Sequence, residues 1–566
     1  MNYWGGTLKI DRVRIQGIKS HLNTKFIVEN YNTLVGENNS GKSNIIFALR
    51  WFFKHENVKI SKEDINKGFK GDPSVIIEFS FEDDETIPSA FIEEYASDDD
   101  NKFIVEAYCN YNAVLDKPQN PKYRLRKIWT KERDITTFPK IVDIIYVPSI
   151  RELSDEIKNT QNSTINKLIS EHVIACILEN DVERIGFKNV EDSIKDLSDV
   201  GEGESSAFNN LKNSLAEQML DYGNFEINFE LKPPKITDLI KDSFKPYVEI
   251  RGKKSEIGTQ GMGFQRSLIY SLLCNKAEVE SSPNNLLKLY LIEEPELFLH
   301  PNHQDHFKNK LIDISNQSNN QIIITSHSPY FLNNIENYSQ LKRISLLNYF
   351  SILKEVKHAE IDKLCDKNGL LMANAFNHDG RMNNREFNRL ASRIAKEDEL
   401  RYLLWIDPNR ANAFLSKKVI LVEGSTDKAL FSFILENPSG NFYSDKRKSE
   451  ITVVDTVGKY HFYKFANLLY KLGIPTWIMH DGDNDDIKKG ISHLILNQYI
   501  EEMKEKDIII NFLRLDPDLE QFLHLDKDDI KPDISIYQKL KDNENNCRNL
   551  PNYRIILDFI DEVLSY

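Results

Sequence analysis

Short apolar runs punctuate this chain, and several end in glycine, an acid or a small polar residue. Residues 8–18 alternate apolar and polar positions, the pattern of a half-buried strand. Thr33-Leu34-Val35 is a second strand that runs into Gly36, and across 44–53 the residues Ile45, Ile46, Leu49, Phe52 and Phe53 recur at helical spacing. Strands are expected at 74–82, 102–114 and 141–148, whereas 155–223 is polar and helix-like. An apolar helix is expected at 268–274 and buried strands at 287–292 and 321–325, followed over 340–415 by a charged, mostly helical stretch with strands near 344–349 that ends the first domain and connects it to the next. From 418 the pattern alternates: strand 418–422, helix 425–436 capped by Ser425 or Thr426, strand 451–455, helix 459–471, strand 475–480, helix 490–505, strand 508–513. Repeated β–α units of this length imply a parallel sheet with right-handed crossovers, whose carboxyl edge is where ligands bind. The tail, 525–566, reads as polar and helical at its end.

Length and composition narrow the class. At 566 residues the chain exceeds what one hydrophobic core supports, so several domains are expected. Hydrophobic content of 40% and charged content of 28% fit an ordinary globular protein. No apolar run approaches the roughly eighteen residues of a membrane span, and residues 1–9 lack a signal pattern. The five cysteines are scattered, which argues against a disulfide framework or a thiolate zinc site and for a cytoplasmic location. A formal net charge of −14 does not favour nucleic acid globally, so a DNA substrate would need local basic patches and bound metal.

The turn Gly36-Glu37-Asn38-Asn39-Ser40-Gly41-Lys42-Ser43 fits G-x-x-x-x-G-K-[ST] between a strand and a helix. Its glycines let backbone N–H groups approach phosphates; Gly36, Asn38, Asn39, Gly41, Lys42 and Ser43 are the candidate nucleotide-binding residues, with Lys42 on the β- and γ-phosphates and Ser43 on Mg²⁺. Glu293 and Glu294 at the end of a downstream strand read as a Walker B pair, Glu293 in the Mg²⁺ shell and Glu294 polarising the attacking water. His327, at the end of the next strand, is placed to sense a γ-phosphate. Gly258 to Arg266 is a glycine-rich turn before a helix. His300, His303 and His306 invite a zinc reading, but their spacing drifts round a helix and no thiolate is near, so a helix start facing a dimer is preferred.

The second constellation follows 418. Glu423 ends one strand; Asp481 and Asp483 end another; Glu520 follows the last. Carboxylates at one sheet edge without thiolates suit a hard cation, Mg²⁺ or Mn²⁺. Candidate DNA contacts are Lys122, Arg124, Arg126 and Lys127 with Tyr123 between them, then Arg251, Lys253 and Lys254, and Lys446 to Lys448.

Gly36 to Ser43, Gly258 to Arg266, Glu293-Glu294-Pro295-Glu296 and Ser326-His327-Ser328 resemble the ABC-type ATPases of the SMC/RecF/Rad50 group, and Glu423-Gly424, Gly458-Lys459 and Asp481-Gly482-Asp483 resemble a TOPRIM domain. Together, in this order, they resemble the overcoming-lysogenization-defect (OLD) family. The resemblance implies an α/β fold: an ABC-type ATPase with a helical insertion, followed by a TOPRIM domain with a parallel sheet. It divides the chain into ATPase (1–154), helical and dimerising insertion (155–245), ATPase (246–400) and TOPRIM nuclease (401–566). It implies an ATP-hydrolysing, Mg²⁺- or Mn²⁺-dependent DNA endonuclease in antiphage defence, forming a homodimer or higher oligomer. It also allows a partner defence protein, such as a helicase or a retron reverse transcriptase with its nucleic acid. By position, Glu423, Asp427, Asp481, Asp483 and Glu520 would hold metal, and Lys531 would match the late lysine that stabilises transition-state charge. The segment 258–266 departs from the Ser-Gly-Gly-Glu signature, and Glu293 stands where many members have aspartate. A topoisomerase would need a tyrosine nucleophile domain and a primase a zinc module; neither is seen. The rival class is a repair ATPase or DNA tether with an inactive TOPRIM domain.

Overall fold

The computed structural model describes residues 8–81, 102–126, 133–135, 138, 141–149, 247–250, 252–256, 259–279, 287–332, 338–405, 408–436, 450–483, 487–488, 490–525, 532–542 and 551–566. The insertion expected at 155–245 and Lys531 lie outside them. The chain forms two compact units, one of 1–146, 283–296 and 300–566, the other of 147–282 and 297–299. The second unit contributes the hairpin Tyr247–Ile250 and Lys253–Glu256 and the helix Met262–Val279.

In the first unit, the N-terminal stretch makes three strands rather than the two expected, because Leu8–Ile18 turns back on itself through His21–Ile27 before Tyr31–Gly36. The first two enter an antiparallel sheet with Ser74–Phe81, Lys102–Tyr108, Lys122–Arg126 and Arg133–Ile135. The strand expected over 102–114 stops at Tyr108, since Asn110 accepts the N–H of Ala113 and caps a short helix, Tyr111–Asp116.

Tyr31–Gly36 lies inside a second sheet, ordered Phe350–Glu355, Leu341–Leu347, Tyr31–Gly36, Asn320–Thr325, Leu287–Glu293, Val142–Val147. Tyr31–Gly36 and Asn320–Thr325 are buried at every position, as strands covered on both faces must be. Leu341–Leu347 pairs parallel with the Gly36 strand, so 341–355 completes the ATPase sheet and the connector begins only at His358–Phe376.

The third sheet is all parallel, ordered Ile451–Asp455, Lys418–Val422, Thr476–Asp481, Asn511–Leu515. The chain leaves Lys418–Val422 toward one neighbour and returns on its other side. The crevice at the carboxyl ends of Lys418–Val422 and Thr476–Asp481 is therefore the switch point where open α/β sheets bind ligands. Alternate residues face two cores: Val419, Leu421 and Ile478 pack with Val35 and Leu341 of the ATPase sheet, whereas Ile420, Val422 and Trp477 pack with Phe431, Ile556 and Ile560. The last three lie on the helices Ser425–Glu436 and Tyr553–Ser565, so the end of the tail is core rather than polar surface. Several element limits shift from expectation: the strand expected at 508–513 is Asn511–Leu515, and the helix expected from 459 becomes α-helical at Phe462. Asp481 is the last residue of its strand, and the helix expected from 490 begins at His493, capped by Ser492 after the small hairpin Ile487–Lys488 and Ile491–Ser492.

Candidate functional site

At the first rim the backbone is shaped for a phosphate. Gly41 has φ +107 and Gly36 φ +148, and a Cβ on Gly36 would lie 1.9 Å from the Ile344 carbonyl oxygen. Only glycine fits there. Glu37, Asn38 and Asn39 are exposed at the tip, with Asn39 at φ +63. The helix Lys42–Phe52 starts directly behind them, aiming its N-terminal dipole at the loop. Lys42 is buried and its Nζ donates to the carbonyls of Gly36 (3.0 Å) and Glu37 (2.8 Å). Burial lowers its pKa to about 8, against Glu294, Glu296 and Glu37, which raise it.

Ser43 and Glu293 meet: Ser43 Oγ donates to Glu293 Oε2 at 3.0 Å, and Tyr146 donates its hydroxyl to Oε1 at 3.2 Å. Glu294 sits in the left-handed region at φ +46, its N–H donating to the Thr325 carbonyl at 2.9 Å. Glu296 takes the Ser326 hydroxyl and the His327 N–H at 3.0 and 2.6 Å, which holds the strand end that presents His327. Burial, then the charge of Lys42, lowers the His327 pKa to about 4, so this ring is neutral near pH 7. The structure therefore gathers Lys42, Ser43, Glu293, Glu294 and His327 at one sheet edge. His300 caps the helix Pro301–Ser315, its Nδ1 accepting the Asn302 N–H at 3.4 Å.

Beneath the loop lies His21, which no motif flagged. Its Nε2 faces the Gly41 carbonyl at 2.9 Å and its Nδ1 the Thr24 hydroxyl at 2.9 Å. A carbonyl can only accept, so Nε2 carries the proton. Burial lowers the pKa from 6.5 to about 4, outweighing the bond to Gly41. Below pH 6.5 the unfolded chain takes up a proton that folded His21 refuses, so stability falls as pH drops toward 4, by about 3 kcal/mol in full. The melting temperature of wild type should consequently fall more between pH 7.5 and 5 than that of His21→Gln. Parallel falls in both proteins would dismiss His21 as the cause.

The second rim sits at the switch point of the parallel sheet. Gly424 precedes the first helical residue and Asp427 reaches back to accept its N–H at 3.1 Å, so the helix is capped from Asp427 rather than by Ser425 or Thr426. Glu423 Oε1 accepts the Asp481 N–H at 3.0 Å, and Asp481 Oδ1 accepts the Leu519 N–H at 3.1 Å, tying together three strand ends. A Cβ on Gly482 would lie 1.9 Å from Asp516 Oδ1, so that side chain would have to swing aside. Asp483, Glu520 and Asp427 are buried.

These acids repel. Burial pushes the Asp481 pKa up to about 9, with Asp427, Glu423 and Asp483 adding to it. Burial, Glu423 and Glu520 push Asp427 up to about 7, and burial raises Glu423 despite the nearby Lys459. Desolvated carboxylates facing one another are what a divalent cation neutralises, and an all-oxygen donor set suits Mg²⁺ or Mn²⁺. The donor chemistry fits, although among the described residues no three such side chains form a finished ligand set. Lys459 stands among them: Nζ is 2.8 Å from Asp483 Oδ2 and 3.6 Å from Glu423 Oε1. His493 Nδ1 also approaches Asp483 Oδ2, at 2.8 Å. Sequence reasoning gave neither a role, though Gly458-Lys459 at the end of Ile451–Asp455 was the signal for the lysine.

The basic clusters fare unevenly. Arg126 pairs with Glu106 at 2.8 Å, and Arg124 lies 3.4 Å from Asp134, so both serve the antiparallel sheet. Tyr123 is buried and donates to the Phe52 carbonyl at 2.5 Å, so it is core rather than a stacking platform for bases. Lys253 and Lys254 lie on a hairpin, Lys254 above the Tyr247 ring at 4.3 Å. Lys127, Arg251 and Lys446 to Lys448 fall outside the described residues.

Known families match both parts of the chain. The AAA ATPase domain family matches residues 8–123 and 116–332, and the overcoming lysogenization defect protein-like TOPRIM domain matches 414–483. Old nuclease of Escherichia phage P2 is 24% identical over 501 residues, covering 84% of this chain and 78% of its own. Endonuclease GajA of Bacillus cereus (strain VD045) is 22% identical over 523 residues, covering 86% and 78%. The SMC head domain from Thermotoga maritima covers 62% of this chain and 99% of its own at 15% identity, with a TM-score of 0.30.

Proposed function

This chain belongs to the AAA ATPase domain family and, through its TOPRIM domain, to the OLD nucleases, and from that membership we propose that it is a divalent-metal-dependent DNA endonuclease under nucleotide control, serving antiphage defence. One observation carries the reading: Glu423, Asp427, Asp481 and Asp483 repel one another at the switch point of a parallel sheet. These acids, with Glu520, would hold Mg²⁺ or Mn²⁺, and the metal would supply charge to a scissile phosphate and acidify a water. The chain's own part is orientation. The Asp481 N–H fixes the Glu423 carboxylate and the Leu519 N–H fixes Asp481, so both acids face the crevice before a ligand arrives. At the other rim, Lys42 and Ser43 would bind nucleotide phosphate and its Mg²⁺, with Glu294 and neutral His327 beside them. Supercoiled plasmid tests the reading: cutting should stop in EDTA and return with Mg²⁺ or Mn²⁺. Cutting that persists in EDTA would refute it.

The two rims are joined by residues that support nucleotide control. Arg343 lies on the strand paired with Gly36, and its buried guanidinium donates to the carbonyls of Gly473 (3.1 Å), Leu472 (3.4 Å) and Ser416 (3.0 Å). Those carbonyls precede the strands Lys418–Val422 and Thr476–Asp481, whose far ends carry Glu423 and Asp481. Glu37, at the loop tip, lies 3.5 Å from Lys417. A nucleotide that moves Glu37 would act on the start of Lys418–Val422, and one that moves the Gly36 strand would act through Arg343 on the starts of both acid-bearing strands. Arg343→Gln should still cut DNA but lose roughly fivefold or more of any ATP-dependent change in rate. An unaltered ATP response would exclude this route.

A further inference from the structure

Lys459 is the positive charge that the chain itself places among the acids. Its side chain is fully buried, and Nζ reaches three of the candidate metal-binding residues: Asp483 Oδ2 at 2.8 Å, Glu423 Oε1 at 3.6 Å and the Asp481 carbonyl at 2.5 Å. A buried ammonium is costly unless paired and hydrogen-bonded.

The loop that delivers it is bent against its own preferences. Val457 has φ +58, a conformation that β-branched residues avoid, and Gly458 has φ +115, where a Cβ would come within 2.7 Å of the Tyr460 ring. Such strain persists where the surroundings over-determine it, and it clusters at functional sites. Here the Thr456 N–H donates to the Val422 carbonyl at 2.9 Å, its hydroxyl to the same carbonyl at 3.0 Å, and the Gly458 N–H to the Glu423 carbonyl at 2.8 Å. The loop is thus fastened to the strand end that bears Glu423, and Lys459 enters the crevice from there.

The geometry points to Lys459 as a built-in counter-cation of the metal site, a positioning residue. Its ammonium holds the carboxylates together before metal loading and leaves them when the divalent ion arrives. This inference rests on the metal reading proposed above. It makes metal binding a displacement: the ion must expel a paired ammonium as well as shed water, so the native site binds more weakly than its acids alone would allow.

Calorimetric titration of the full chain with Mn²⁺ tests this in wild type, Lys459→Met and Lys459→Arg. Lys459→Met should bind roughly tenfold more tightly than wild type, having no ammonium to expel, while Lys459→Arg stays near wild type. A second measurement needs no variant. Amine acylation of wild type, mapped by mass spectrometry, should spare Lys459 in EDTA and label it several-fold more with Mn²⁺, following the exposure of its side chain. If wild type binds Mn²⁺ without a rise in Lys459 labelling, or if Lys459→Met folds and binds no more tightly, the counter-cation role is overturned. If none of the proteins binds Mn²⁺, the metal reading itself fails, and the counter-cation role with it.

Discussion

Glu423→Ala should abolish DNA cleavage, by on the order of a thousandfold or more, while leaving ATP hydrolysis intact. Glu423 accepts the Asp481 N–H and faces Lys459, so it orients one acid and shares the counter-charge of the site. Its removal does not threaten the fold. Its charge raises the pKa values of both Asp427 and Asp481, so deleting it relieves a repulsion. The melting temperature in EDTA should stay within a few degrees of wild type, or rise. Activity lost together with a collapse in melting temperature would point instead to unfolding. Full cutting by a folded Glu423→Ala would place the nuclease centre elsewhere.

Lys42→Ala should lower ATP hydrolysis by about a hundredfold to a thousandfold. The lysine is buried beneath its own loop, where Glu37, Glu294 and Glu296 all favour its charge. After burial, its charge is what keeps His327 neutral. The variant should therefore show a second signature, a rise in the His327 pKa measured by NMR. Hydrolysis lost while the His327 titration is unmoved would mean that the two side chains do not act in one site. An unchanged hydrolysis rate would remove the phosphate loop from the account.

The architecture was legible wherever burial dictates composition. Lys418–Val422 and Asn320–Thr325 are buried at every position and read as strands without a structure. The glycine-lysine turn between strand and helix was equally plain, because Gly36 and Gly41 hold conformations that other residues resist. Long-range pairing was not legible. Strands near 344–349 at the end of the first domain could be read, but nothing local in 341–355 reveals that they lie beside Tyr31–Gly36. Turn chemistry ended the strand at Tyr108, where Asn110 caps a helix, and Ser492 moved the helix start to His493.

Among the site residues, the acids and the phosphate loop could be found because their types and spacing carry the chemistry. Tyr123 looked like a nucleic-acid contact because charged residues surround it, but the strand alternates and turns it into the core. Gly458-Lys459 could be picked out as a motif, but not the place of Lys459 among the acids: a lysine in sequence reads as solvated, and its burial beside Glu423, Asp481 and Asp483 depends on residues distant in the chain.

The rate of plasmid cutting as ATP is titrated, in Mg²⁺ or Mn²⁺, with wild type beside Lys42→Ala, tests the central claim most directly. A nuclease governed by its own nucleotide site predicts that ATP changes the wild-type rate and that Lys42→Ala cuts at one rate whatever the ATP concentration. Equal ATP responses in both proteins, or ATP-dependent DNA binding by wild type with no cutting under any condition, would contradict it, the latter in favour of a DNA tether.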